Sequence, residues 1–284
     1  MSIAFLGFGL IGGSIARALR AADGAQEELV AWSPTGDGPR RALADDILDA
    51  VAATPADAID GADLVVLAAP PLDCLALLDE LAGPLRGSLR PGSTITDVAS
   101  TKGAIVARAD SHGLRFVGGH PMAGRETAGY AASTPDLFRD RPWVVVPGSV
   151  ATDEDVRRVE RLATACGAVP IRMAADAHDR AVAGTSHLPL VLAAALVEAV
   201  TEGGLEAALT AGGWRDMTRL ARGDVAMGAG IAATNAAALA SRIRDVRVVL
   251  DAWLADLEAP SGPDEPAIAE RLRAARERLE RLDG

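Results

Sequence analysis

At 284 residues the chain has room for two modest domains, each with its own core. A net charge of −11, with acidic residues interspersed among arginines, argues against nucleic acid or an anionic membrane as partner, because both need a basic face. Aromatic residues make up only 3%, so Ala, Leu, Val and Ile must build the cores; Cys74 and Cys166 sit in no metal-ligand spacing, so no metal is expected, and buried free thiols in a cytoplasmic compartment are.

Met1 leads at once into Ser2–Leu6, an apolar strand with no basic segment before it, so no signal peptide is expected. Leu10–Ala22 has helical spacing, and Glu28–Trp32 reads as a second strand. Asp63–Ala69 is a continuous apolar run, the pattern of a strand buried on both faces. Leu72–Leu81 (helix), Ser93–Val98 (strand), Thr101–Ala109 (helix), Arg115–Gly118 and Trp143–Pro147 (strands), Asp153–Cys166 (helix) and Val169–Met173 (strand) follow. Strands alternating with helices imply βαβ units, so the fold class is α/β, with a Rossmann-type, mostly parallel sheet over residues 1–171.

Beyond Met173 the strand signals stop. Asp176–Val200, Leu205–Leu209, Arg215–Ala221, Ala226–Leu257 and Glu265–Leu282 read as helices, giving an all-α domain over residues 172–284. Ala226–Leu257 is long and rich in alanine. It is expected to pack against a second copy of itself in a homodimer; the alternative is a helix crossing the middle of a monomeric bundle. The apolar stretches Asp63–Pro71 and Leu188–Val200 are too short to span a bilayer.

The clearest motif is Gly7-Phe8-Gly9-Leu10-Ile11-Gly12, set between a strand and a helix. Gly7 permits a tight turn, Gly9 lets the backbone approach a pyrophosphate, and Gly12 lets the helix pack on the strand. Free N–H groups at the helix start then face the phosphate charge. Gly7, Gly9, Leu10, Ile11 and Gly12 are therefore candidate dinucleotide contacts. The end of the second strand, Ala31-Trp32-Ser33-Pro34-Thr35, lacks the carboxylate that holds the ribose hydroxyls of NAD. Ser33 and Thr35, with Arg40 or Arg41 for charge, point toward NADP; Asp37 or Asp45 folding back would restore NAD.

Asp97–Gly103 lies at a strand end, where ligand crevices form in open sheets. Gly118-Gly119-His120-Pro121-Met122-Ala123-Gly124-Arg125-Glu126 places His120 at another strand end, in a glycine-rich loop. An imidazole there suits acceptance of a hydroxyl proton during hydride loss.

These stretches, followed in order by His178-Asp179-Arg180-Ala181-Val182, Ser186-His187-Leu188-Pro189 and Trp214-Arg215-Asp216-Met217-Thr218-Arg219, resemble the prephenate/arogenate dehydrogenase family over about residues 1–240. The resemblance implies NAD- or NADP-dependent oxidative decarboxylation of a cyclohexadienol, a small-molecule substrate, in tyrosine biosynthesis. It implies that His120 bonds the ring hydroxyl and that Ser100 shares that contact and orients the histidine. It also implies that Arg219 grips a substrate carboxylate, that Glu126 and Asp216 position this arginine, and that His187 and His178 lie close to the substrate.

Leu190 stands where many prephenate-preferring relatives carry a second histidine, which counts against a preference for prephenate and keeps arogenate open; Gly228 stands where relatives tend to carry tryptophan after Met227, so an aromatic wall is missing or supplied elsewhere. Two other readings compete. A β-hydroxyacid-type dehydrogenase would need a lysine in its helical domain, and none follows Lys102. A non-catalytic NADP-sensing dimer would need neither His120 nor Arg219.

Overall fold

The computed structural model describes residues 1–22, 27–125, 127–201 and 209–283. Its elements run β1 (Ser2–Leu6), α1 (Leu10–Ala21), β2 (Glu28–Trp32), α2 (Asp37–Ala44), β3 (Ala50–Val51), α3 (Pro55–Ile59), β4 (Leu64–Leu67) and α4 (Pro71–Ala82). Then come β5 (Thr94–Asp97), α5 (Gly103–Ser111), β6 (Phe116–Pro121), β7 (Pro142–Pro147), α6 (Asp153–Ala165) and β8 (Val169–Arg172). The helical remainder is α7 (Ala175–Val182), α8 (Leu188–Thr201), α9 (Gly212–Thr218), α10 (Val225–Thr234), α11 (Ala236–Leu257) and α12 (Glu265–Asp283).

The strands form one sheet in the order β3-β2-β1-β4-β5-β6-β7-β8. Every pairing is parallel except β6 with β7. Chain order reverses between β1 and β4, so the loops after these strands diverge and leave a crevice. β4 reads Leu-Val-Val-Leu and is buried throughout, because helices cover both faces of the sheet. One core lies under α1 and α6, around Phe5, Ile15, Phe138, Trp143 and Leu162. The other lies under α4 and α5, around Leu67, Leu78, Ile95, Ile105 and Phe116. Asp155 pins the start of α6 to the sheet: it accepts from Thr94 Oγ1 at 2.5 Å and from Arg115 at 2.8 Å. These bonds outweigh its burial and hold its carboxyl down at about 2.

Compactness divides the chain into Met1–Ala236 and Ala237–Gly284. The expected boundary at 171/172 falls inside the first unit, where α7 packs against α5 and α10 against α4 and α5. In the second unit α11 runs into α12 through a short turn, and Arg271 bonds Asp256 across it. Val248, Leu254, Leu272 and Leu279 are all more than half exposed.

The structure revises several sequence expectations. α2, β3 and α3 fill the stretch after Trp32, where no periodic pattern marks them. His120 lies inside β6, not in a loop beyond it. The single helix expected over Ala226–Leu257 breaks at Asn235, whose φ of −122° and ψ of 31° end α10. The helix expected over Leu205–Leu209 lies almost wholly outside the described residues. Ala175–Val200 forms one helical run of 26 residues with a mean hydropathy of 1.5, long and apolar enough to cross a membrane by length and composition. Reading Leu188–Val200 as too short is therefore corrected. Within the run, however, the polar His178, Asp179 and His187 are buried inside the first unit.

Candidate active site

Gly7 ends β1 with φ +86°, and a Cβ there would lie 2.5 Å from the Ala68 carbonyl oxygen, so only glycine makes this turn beside β4. α1 opens at Gly9 with no side-chain cap, leaving its first N–H groups for a ligand, and a Cβ on Gly9 would meet only open space. A cleft of about 760 Å³ extends from this turn. Gly7, Phe8, Gly9, Ser33, Thr35, Asp37, Arg41, the Ala68–Pro70 loop and Tyr130 line it. The size, the glycine turn and the uncapped helix fit a dinucleotide.

At the far end of the cleft the expected polar set is partly committed elsewhere. Arg40 bonds Asp37 at 2.7 Å and the Thr35 carbonyl at 2.9 Å and does not line the cleft; Arg41 does. Asp45 is taken by the Tyr130 hydroxyl and Arg17, both at 2.8 Å, so of the two expected carboxylates only Asp37 lines the cleft, together with Asp73 and Glu80. Leu10 and Ile11 open α1 but do not line the cleft.

β1, β4, β5 and β6 are successive parallel neighbours, so the Gly7 turn, the Ala68–Pro70 loop, Ser100 and His120 all lie toward one edge of the sheet. With strands about 4.8 Å apart, His120 stands roughly 14 Å across that edge from the β1 turn. Its ring is buried, and Nδ1 lies 2.8 Å from Nε2 of His178. His178 Nδ1 in turn lies 2.8 Å from Asp179 Oδ1. Burial, reinforced by the Lys102 ammonium and the His178 and His187 rings, holds His120 well below the ordinary imidazole value, so it is neutral at physiological pH.

Behind His120, Lys102 is fully buried. Its ammonium binds Asp97 and donates to the Gly119 carbonyl at 2.8 Å. Burial pushes the Asp97 carboxyl up, while Lys102 and the N–H groups of Gly119 and Ala99 oppose that. The network fixes the end of β5 against the end of β6.

His187 closes a π-helical turn, Ala183–His187, between α7 and α8. Asn235 Nδ2 donates to the Asp179 carbonyl at 2.8 Å and to His187 Nδ1 at 3.1 Å. Burial lowers the His187 pKa, so its ring is neutral and carries its hydrogen on Nε2. That Nε2, like Ser100 Oγ, is buried without a well-formed hydrogen bond among the described residues, although the Ser100 backbone lies close enough to the His187 ring to oppose the lowering. A neutral imidazole at His120 and two polar atoms awaiting a partner form a set able to receive a hydroxyl.

Arg219 begins a 3₁₀ turn, Arg219–Arg222, packed against α8, and Asp216 is exposed on α9. Glu126 lies outside the described residues. His178 was assigned by resemblance to the substrate, but both its ring nitrogens serve His120 and Asp179, so it sits behind the site. Asp179, Lys102 and Asn235 were not singled out. Asp179 and Lys102 lie within motifs that carried the resemblance, whereas Asn235 carries no signal, since its role arises only where the long helix breaks.

Residues 15–172 match the family model for the prephenate dehydrogenase nucleotide-binding domain, and residues 174–260 match the model for its dimerization domain. The chain is 32% identical over 233 residues to prephenate dehydrogenase of Bacillus subtilis, covering 80% of this chain and 62% of that protein. It is 30% identical over 266 residues to cyclohexadienyl dehydrogenase of Zymomonas mobilis, covering 90% and 86%. Prephenate dehydrogenase from A. aeolicus, solved with hydroxyphenyl propionate and NAD+, matches with a TM-score of 0.88 at 25% identity, covering 99% of this chain and 98% of that one. Synechocystis arogenate dehydrogenase matches with a TM-score of 0.78 at 27% identity, covering 98% and 100%.

Proposed function

The chain belongs to the prephenate dehydrogenase family, and on that premise we propose that it oxidatively decarboxylates a cyclohexadienol, prephenate or arogenate, with NADP or NAD. One observation carries the reading: a neutral, buried His120 on the same sheet edge as a dinucleotide-shaped cleft, with Ser100 Oγ and His187 Nε2 unpartnered.

When bound, the oxidised nicotinamide supplies the hydride acceptor. His120 Nε2 accepts the proton of the ring hydroxyl as hydride leaves the same carbon. Ser100 and His187 hold the hydroxyl oxygen against that nitrogen. The ring carboxylate then departs as CO2, its electron pair aromatises the ring, and the oxygen recovers its proton from His120. Arg219 grips the carboxylate that stays, a task suited to a planar guanidinium. Arg219→Gln is expected to raise KM about 10–100-fold, the worth of a charge-assisted hydrogen bond, with a smaller change in kcat. An unchanged KM places the carboxylate elsewhere.

Mixing the protein with prephenate or arogenate, each with NAD or NADP, and following the reduced nicotinamide tests the proposal. Turnover of one pair supports it, and none with all four overturns it. Ser33, Thr35 and Arg41 at the cleft favour NADP. Arg41→Ala should then raise KM for NADP about 10–100-fold and leave NAD nearly unaffected. Equal changes for both would place the 2′-phosphate away from Arg41.

A homodimer is the assembly we favour. The matched dimerization domain supports it, as do the apolar residues left exposed on α11 and α12 and the apolar, partly exposed α8. A cytoplasmic location fits two free cysteines buried in apolar surroundings.

A further inference from the structure

We infer that Asp179 and His178 are positioning residues that decide which ring nitrogen of His120 carries the hydrogen. The inference rests on the proposed role of His120 as proton acceptor. The Asp179 carboxylate accepts from the backbone N–H groups of Lys102 and Gly103, both at 2.8 Å, at the start of α5. Gly103 makes this approach possible, since a Cβ there would lie 2.8 Å from Asp179 Oδ2. A carboxylate so held has only lone pairs to offer, so His178 Nδ1 must be the donor across their 2.8 Å contact.

Assigned this one hydrogen, the His178 ring keeps a lone pair at Nε2. His120 Nδ1, at 2.8 Å, must then donate to it. Neutral His120 is left with its lone pair on Nε2, the nitrogen that no described residue bonds. Two successive tautomers thus follow from one carboxylate, and the second turns His120 into an acceptor. Asn235 gives His187 the opposite polarity, an N–H at Nε2. A hydroxyl, with one hydrogen and two lone pairs, matches that pair.

Asp179→Asn tests this. Lys102 N–H and His178 Nδ1 share Oδ1, so an amide whose oxygen keeps the Gly103 N–H turns its NH2 toward His178 Nδ1, at the loss of the Lys102 N–H bond. His178 then carries hydrogen on Nε2, and His120 receives it at Nδ1 and becomes a donor at Nε2. Four histidines make ¹⁵N NMR of labelled protein tractable. The wild type should show His120 protonated at Nδ1, and Asp179→Asn should show it protonated at Nε2. In that variant kcat should fall on the order of 10²–10⁴-fold while dinucleotide affinity holds, the pattern of a proton acceptor in the wrong tautomer. His178→Gln, whose amide can accept from His120 and donate to Asp179, should keep the wild-type His120 tautomer and most of kcat.

A wild-type His120 protonated at Nε2, or no tautomer change in Asp179→Asn, overturns the assignment. A tautomer switch in a protein that turns over no cyclohexadienol supports it and removes the proposed activity alone.

Discussion

Replacing His120 with asparagine is expected to lower kcat about 10²–10⁴-fold, the usual worth of a positioned general base. The ring is buried, neutral, and the one histidine that combines a strand-end position beside the cleft with an unbonded Nε2. Asparagine keeps a polar group of similar reach but cannot accept and return a proton near neutral pH. The cleft lining near Gly7, Ser33 and Arg41 does not include His120, so dinucleotide affinity measured by calorimetry should stay near the wild-type value. A variant with near-normal kcat would show that the proton goes elsewhere.

The second large effect is on stability. Lys102 is the only lysine in the chain and is fully buried, bound to Asp97 and to the Gly119 carbonyl. Lys102→Met keeps the volume but strands a buried carboxylate. Breaking one side of such a pair costs about 3–5 kcal/mol, which for a chain of this size lowers Tm by roughly 10 °C. The exposed pair Arg139–Asp136 is the control: Arg139→Ala should shift stability by less than about 1 kcal/mol. Equal melting shifts for the two variants would mean that the buried pair contributes no more than a surface one. The same pair sets the end of β5 against β6, so loss of stability and loss of His120 placement should appear together.

The strands and the glycine turn were legible because their signals are local: apolar runs of strand length, and glycines at fixed spacing. β1 and β2 stand where the pattern puts them, and β4 within its apolar run. α2 and α3 were not legible, because helices of eight and five residues are too short for an apolar pattern to stand out from the flanking turns. His120 was legible from its flanking glycines and its resemblance to a family motif. The chain Asp179–His178–His120 was not, since it joins residues 58 positions apart through a contact that only the packing of α7 on α5 creates. Asn235 was hidden for the same reason: alanine-rich sequence on both sides continues a helical pattern, and the break depends on polar partners supplied by α7 and the π turn before α8. Arg40 and Arg41 were equivalent in the sequence, because the pairing of Arg40 with Asp37 that separates them is a matter of side-chain geometry.

In the proposed complex His120 Nε2 meets the hydroxyl of the substrate ring in front of the bound dinucleotide. A crystal structure of the protein with oxidised nicotinamide and a phenolic product analogue tests it most directly. The phenolic oxygen should lie within hydrogen-bond distance of His120 Nε2, with Ser100 Oγ and His187 Nε2 bonded to the same oxygen. A ring bound with that oxygen turned away from His120, or facing Arg219, would contradict it.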